Sequence, residues 1–278
     1  KNKYLRDGEV IQYVHMVNAL IYASVECTPQ ERLKKAACWY LMFAKRELSL
    51  ATPHWLNLRF NGNTGSCFVL SVADNTDSIM DNAKRTAEIS RSGGGVGVYW
   101  GYVRAQGDSI QGEDGRSGGA LPMMKIFNET IIAFNQLGKR KGAITSALPV
   151  WHADIVSFLD SVSEVGDLRK KLFDTQIQVV FEDLFMRMVD DSPNSIWYTF
   201  SPHEVEEVLG YNLNDYSGVE FDDLYLKAVE AYKRGHLKVV REIVVKDLWK
   251  LFLQQVFEKG VPYAVFGTAL QHKNPNKH

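Results

Sequence analysis

From Leu50 onward, strand-like runs alternate with helix-like runs, and this order restricts the fold more than any other feature of the chain. Cys67-Phe-Val-Leu-Ser-Val72 reads as a strand, and 76–91 reads as a helix stopped by Gly93-Gly94-Gly95. Val96, Val98, Trp100 and Tyr102 then alternate with Gly97, Tyr99 and Gly101 as a second strand. After a Gly-rich loop at 107–119, the stripe Met124, Phe127, Ile131, Phe134 predicts a helix over 121–136. Further strands are expected at 143–150, 176–181, 195–200 and 262–267, and helices at 153–162, 182–190, 220–234 and 240–259. Parallel strands need a crossover element between them, so the alternation predicts an α/β sheet or barrel.

The segment before Leu50 is helical. Val10, Val14, Val17 and Ile21 fall at helical spacing over 10–23, and Thr28-Pro29-Gln30-Glu31 is a capping box that announces a helix over 31–47 carrying Ala36, Trp39, Tyr40 and Phe43. We therefore expect a helical region over 1–60 and the α/β unit over 61–278. With 32 Lys plus Arg against 33 Asp plus Glu, no global basic field exists to hold nucleic acid or an anionic membrane. The apolar runs fall short of the roughly 18–20 residues a bilayer span requires. Cys27, Cys38 and Cys67 form no C-x-x-C pair, which argues against a disulfide scaffold or a cysteine zinc site and for a reducing cytoplasm. Lys1 in place of Met, with a polar run to His278, leads us to expect a piece of a longer chain.

Several residues are candidates for chemistry. Cys67 sits in Gly65-Ser66-Cys67 at the mouth of a strand, where a thiol is either a small core hydrophobe or a redox group. Cys38 beside Trp39 and Cys27 before a cap are expected to be buried. Ser92-Gly-Gly-Gly-Val-Gly97 lets a backbone approach a phosphate or sugar, but its helix-then-strand context is the reverse of a dinucleotide fingerprint. Gln136-Leu-Gly-Lys-Arg-Lys-Gly-Ala143 sets three cations between glycines, either as a solvated turn or as a phosphate- or base-contacting loop. Arg104 and Asp74, each just past a strand, can pair with each other or with a nucleotide. His152-Ala-Asp154 reads as helix capping, and Asp190-Asp191 and Asp222-Asp223 read as solvated faces.

Taken in series, these segments resemble the catalytic large subunit of ribonucleotide reductase. The resemblance rests on Gly65-Ser66-Cys67 opening a strand, Asp74 beyond it, Gly94-Gly95-Val96-Gly97, Arg104-Ala-Gln-Gly-Asp-Ser-Ile110, Gln136-x-Gly-Lys-Arg-Lys-Gly-Ala143 and Leu148-Pro-Val-Trp-His-Ala-Asp-Ile155, with Lys3-Tyr-Leu-Arg-Asp-Gly-Glu9 and Gly260-Val-Pro-Tyr263 near the two ends. It implies the first half of a ten-stranded α/β barrel, the second half, with its radical cysteine and the second cysteine of the reducing pair, lying outside this chain.

By the same resemblance, Cys67 is the half of a redox pair that reduces the substrate at C2′, and Thr52, Ser66 and Gly95 contact the bound ribonucleotide. Asp74, with Asn75 and Thr76, corresponds to the place where a deoxynucleoside triphosphate effector is held by its sugar. Arg104 corresponds to an effector phosphate ligand, and a second such position, often Arg in the family, falls on Gln111. The loop carrying Gln136, Lys139, Arg140 and Lys141 corresponds to the one that passes effector identity to substrate choice. The helices over 76–91 and 121–136 correspond to a homodimer interface. The implied requirements are adenosylcobalamin, which we prefer, or a radical-generating metallosubunit; a dithiol reductant; and a complementary C-terminal half. No metal ligand is assigned within the chain, and no membrane or direct nucleic-acid partner is expected. The alternative is a non-catalytic module that only binds the effector.

Overall fold

The structure is a computed structural model and describes residues 5–60, 62–135 and 141–275. Helices α1 (Ile11–Ala23) and α2 (Pro29–Ala44) form an antiparallel hairpin, followed by the short α3 (Thr52–Asn57). The capping box is formed: Glu31 N–H donates to Thr28 Oγ1 at 3.2 Å, and Thr28 N–H donates to Glu31 Oε2 at 3.1 Å. Arg59 ties the chain start to this unit through Glu9 at 2.8 Å. Val14, Ala36 and Phe43 are buried, but Cys27 and Cys38 are exposed, contrary to expectation: α2 turns only Ala36 and Phe43 fully inward, and Cys27 lies in the connection before that helix.

The α/β unit runs β1 (Cys67–Ser71), α4 (Thr76–Arg91), β2 (Gly95–Tyr99), α5 (Ala120–Ala133), β3 (Ile144–Pro149), α6 (Ile155–Asp160), β4 (Thr175–Phe181) and α7 (Asp183–Asp191). It continues through β5 (Ile196–Phe200), α8 (Pro202–Leu209), α9 (Gly218–Lys233), β6 (Val240–Val244), α10 (Val245–Lys259), β7 (Tyr263–Phe266) and α11 (Gly267–Lys273). Five strands form one all-parallel sheet in the order β1-β2-β3-β4-β7. Strand alternation gives that sheet two unlike faces. One carries Val96, Val98, Ile144, Leu148, Ile177 and Val179, all buried in the core shared with α4, α5, α6 and α10. Trp100 meets Phe127 of α5 edge-on at 4.9 Å, and Phe181 meets Phe252 of α10 edge-on at 4.9 Å. Each such side chain removed from water is worth about 1.5–3 kcal/mol.

The other face carries Cys67, Val69, Gly95, Gly97, Thr145, Gln176 and Gln178 and is open, with Val69 84% exposed. Parallel sheets in α/β proteins are ordinarily covered on both faces. Among the described residues, only α11 and the segment around Asn214–Ser217 reach the rim of this one.

Five details differ from the sequence expectation. The second strand ends at Tyr99 rather than Tyr102, since the chain turns at Trp100, whose indole is buried on Ser146. The fifth helix stops at Ala133, leaving Phe134 partly in solvent. The strand expected at 195–200 does not join the parallel sheet; β5 pairs antiparallel with β6, Ile196 opposite Val244 and Phe200 opposite Val240. That partner lies inside the expected helix 240–259, because β6 passes into α10 at Val244–Val245 with no Gly or Pro to mark the change. Finally, Asp222 is not on a solvated face: it faces Arg187 of α7 in an ion pair.

Candidate functional site

The thiol at the head of β1 is placed by the turn before it. Asn63 Oδ1 accepts the Gly65 N–H at 3.1 Å, and Ser66 O accepts the Gly95 N–H at 2.8 Å, which sets Cys67 directly opposite Gly95. Cys67 is exposed, and Ser66 Oγ lies 3.5 Å from its sulfur. It borders a cavity of about 700 Å3 on the open face of the sheet, whose floor beside the sulfur is the bare backbone of Gly95 and Gly97. A group lying there can approach main-chain N–H and C=O groups without meeting a Cβ. Thr52, half-buried at the start of α3, is not among the residues that line this cavity, nor is Ser66.

The far end of the cavity holds a group that the sequence reading missed. Glu182, at the carboxyl end of β4, is 7% exposed, and its Oε2 has no hydrogen-bond partner among the described residues. Burial, followed by the nearby charges of Asp183 and Asp222, pushes its carboxyl up to about 7. Tyr99 donates to Asn214 Oδ1 at 2.6 Å, and burial, with Glu182 next in weight, raises its phenol well above the ordinary range. The strand register sets Glu182 three strands across and eight residues along from Cys67. At sheet spacings this is about 25–30 Å, so one nucleotide does not touch both.

Asp74 and Arg104 come together past the carboxyl ends of β1 and β2. Arg104 Nε donates to Asp74 Oδ2 at 2.6 Å, with each side chain about a fifth exposed. A hollow of about 420 Å3 beside Asp74 is lined by Ser71, Ser78, Tyr102, Glu206 and Asn212. Asn75 caps α4, accepting the Ser78 N–H at 2.8 Å, and Thr76 is the exposed first residue of that helix. Gln111 is exposed, at φ +53° in a tight turn between Ile110 and Glu113, and is not among the residues bordering the hollow. Gln136, Lys139 and Arg140 lie outside the described residues; Lys141 is exposed.

The His152-Ala-Asp154 segment does not cap its own helix. Asp154 makes no side-chain cap to α6; its Oδ1 accepts the Gln106 N–H at 2.9 Å and its Oδ2 the Ala120 N–H at 3.0 Å. His152 is fully buried, which lowers its pKa; its Nε2 lies 2.8 Å from Val103 O and its Nδ1 accepts the Asp154 N–H at 3.1 Å. No three His, Cys, Asp or Glu side chains group to hold a metal ion among the described residues.

Comparison with known proteins places this geometry. Residues 65–278 match the family model described as ribonucleotide reductase, barrel domain. The whole chain is 38% identical to a ribonucleoside-diphosphate reductase subunit alpha from Synechocystis sp., spanning 36% of that protein. It is 35% identical over 272 residues, 97% of the chain, to the subunit of the same name from Helicobacter pylori, spanning 33% of it. It is 32% identical over 253 residues, 88% of the chain, to a ribonucleoside-diphosphate reductase large subunit from Plasmodium falciparum, spanning 29% of it. The chain thus spans about a third of the length of these relatives. With the parallel half-covered sheet, the thiol at the head of its first strand and a match over most of the sequence, the chain belongs to the ribonucleotide reductase family.

Proposed function

We propose that this chain supplies part of the catalytic barrel of a ribonucleoside-diphosphate reductase, with residues 61–278 forming a half-barrel behind a helical region over 1–60. The observation that carries this reading is the position of Cys67, exposed at the head of β1 over a cavity floored by Gly95 and Gly97. The ribose lies against that floor; Ser66 and Thr52, which do not line the cavity in this chain, are assigned as further contacts on the family resemblance. Cys67 and a second thiol together deliver two electrons and two hydrogens: the C2′–OH bond breaks, a C2′–H bond forms, water leaves, and the two sulfurs close a disulfide. A dithiol reductant then reopens that disulfide. Opening an unactivated ribose C–H bond needs a radical source, which the family supplies from outside these residues. The second thiol likewise comes from the complementary part of the barrel, which covers the open sheet face and excludes water from the cavity.

The relatives' names specify a diphosphate substrate and a subunit of a larger enzyme, which favours a ribonucleoside diphosphate and a separate radical-generating subunit over adenosylcobalamin. Past the carboxyl ends of β1 and β2, Asp74 holds the sugar of a deoxynucleoside triphosphate effector and Arg104 its phosphates, with Asn75, Thr76 and Gln111 at the margin. The loop carrying Gln136, Lys139, Arg140 and Lys141 passes the effector's identity to the substrate cavity. Met80 on α4 and Ile126 and Ile132 on α5 are exposed apolar side chains on the two helices assigned to a homodimer contact. No helix among the described residues is long and apolar enough to cross a membrane, and the cytoplasm is the proposed location.

The deciding experiment is Cys67→Ser in the full-length enzyme, assayed for dCDP formation from CDP with a dithiol and the radical-generating subunit. Turnover is expected to fall to background while dTTP binding is retained. A variant that still reduces CDP through repeated dithiol-dependent turnovers at the wild-type rate overturns the assignment.

A further inference from the structure

We infer that Asp154 is a positioning residue for the effector response, holding both ends of the loop that follows Arg104 and carries Gln111 onto the head of α5. This rests on the effector-site reading above. Asp154 is 2% exposed, and its two oxygens serve two backbone donors far apart in sequence, Gln106 and Ala120. Gln106 begins the loop two residues past Arg104, whereas Ala120 is the first residue of α5. One carboxylate therefore staples the loop's entry to its exit.

It also replaces a missing cap. Gly119, the residue before α5, offers no side-chain cap and sits at φ +78°. The buried carboxylate at this helix start satisfies an otherwise orphaned N–H and lies at the positive end of the helix dipole. The fit is tight: a Cβ on Gly119 would stand 2.3 Å from Asp154 Oδ2. Arg241 lies 3.7 Å from Oδ1 and partly neutralises the charge. A second buried carboxylate, Asp108, braces the same loop, accepting the Ser109 N–H at 2.6 Å and the Ser201 hydroxyl, while Ser201 Oγ accepts the Ala105 N–H at 2.9 Å.

The other end of α5 reaches the loop assigned to substrate choice. Gly142 packs so closely on the last turn of α5 that a Cβ there would stand 2.4 Å from Ile131 O. The helix of 14 residues, about 21 Å long at 1.5 Å per residue, is thus seated against the effector loop at its head and against Gly142 near its tail. Asp154 fixes the head, so displacement of the loop on effector binding is carried by a helix whose starting point is pinned.

The test is dTTP binding to the full-length protein by equilibrium dialysis, comparing wild type with Asp154→Asn, Gly119→Ala and Asp74→Ala, with CDP binding measured alongside. Asparagine keeps the shape but turns an N–H toward one of the two backbone donors; Gly119→Ala drives the carboxylate from Ala120. Each is expected to weaken dTTP binding about tenfold with CDP affinity unchanged, which general loosening of the fold would not do. If Asp154→Asn fails to fold, Gly119→Ala decides. Wild-type dTTP affinity in both of these variants, with loss in Asp74→Ala, overturns the role of Asp154 and leaves the effector site standing. Wild-type affinity in all three variants overturns the effector site itself and the inference with it.

Discussion

Glu182 makes the folded chain hold a proton that the unfolded chain releases, and the consequence can be worked out in both sign and size. Its carboxyl is pushed from an ordinary 4.5 to about 7, chiefly by burial. Between those values the native state binds more protons than the unfolded state, so stability falls as pH rises through this window and stays low above it. At about 1.4 kcal/mol per pH unit, the lost stability is about 3 kcal/mol. Glu182→Gln keeps the shape and removes the ionisation, so the variant escapes the loss. For 278 residues, with an unfolding entropy of about 2.1 cal/mol/K per residue, 3 kcal/mol corresponds to about 5 °C in melting temperature. Circular-dichroism melts of wild type and Glu182→Gln at pH 5 and pH 8.5 should show nearly equal midpoints at the lower pH and the variant about 5 °C higher at the upper. A gap of the same size at both pH values refutes the reasoning, because a packing effect does not titrate.

Two further outcomes test the fold itself. Thr28→Ala removes both hydroxyl contacts of the capping box and is expected to cost about 1 kcal/mol locally, so amide exchange in the first turn of α2 should quicken about fivefold. Unchanged exchange would show that the cap contributes nothing. Phe127→Ala empties a fully buried site edge-on to Trp100 and is expected to cost about 3–5 kcal/mol, read as a lower urea midpoint. A loss below about 1 kcal/mol would mean that the core collapses around the gap.

What was legible in the sequence follows from how local each signal is. The β/α order from Cys67 to Phe181 was readable because each element carries its own period, and Thr28 with Glu31 was readable because the whole cap lies within four residues. Cys67 was singled out by its place at a strand mouth and by the series of motifs around it, and the fold sets it on the cavity edge. The β5–β6 ribbon was hidden because a strand does not announce its partner, and β6 ends without a breaker. Glu182 was hidden for another reason. Beside Asp183 it looks like an ordinary acidic helix start, but its character comes first from burial, including a seat against Gly267, and only then from the charges of Asp183 and Asp222; Gly267 and Asp222 are remote in sequence. Asp154 looks like a local cap in sequence, but the backbone donors it accepts from lie 48 and 34 positions away.

The strand that bears Cys67 is an outermost strand of its sheet, with no neighbour on its outer side among the described residues. Antiparallel strands that pair edge to edge bring facing Cα atoms to about 4.5–5.5 Å, within the separation at which two cysteines join. A chain that docks along this border carrying a cysteine opposite Cys67 thereby meets the Cα-separation demand of a disulfide through main-chain hydrogen bonding. On the proposed reading of Cys67, closing the barrel along this border and bringing the second thiol within reach would be a single step.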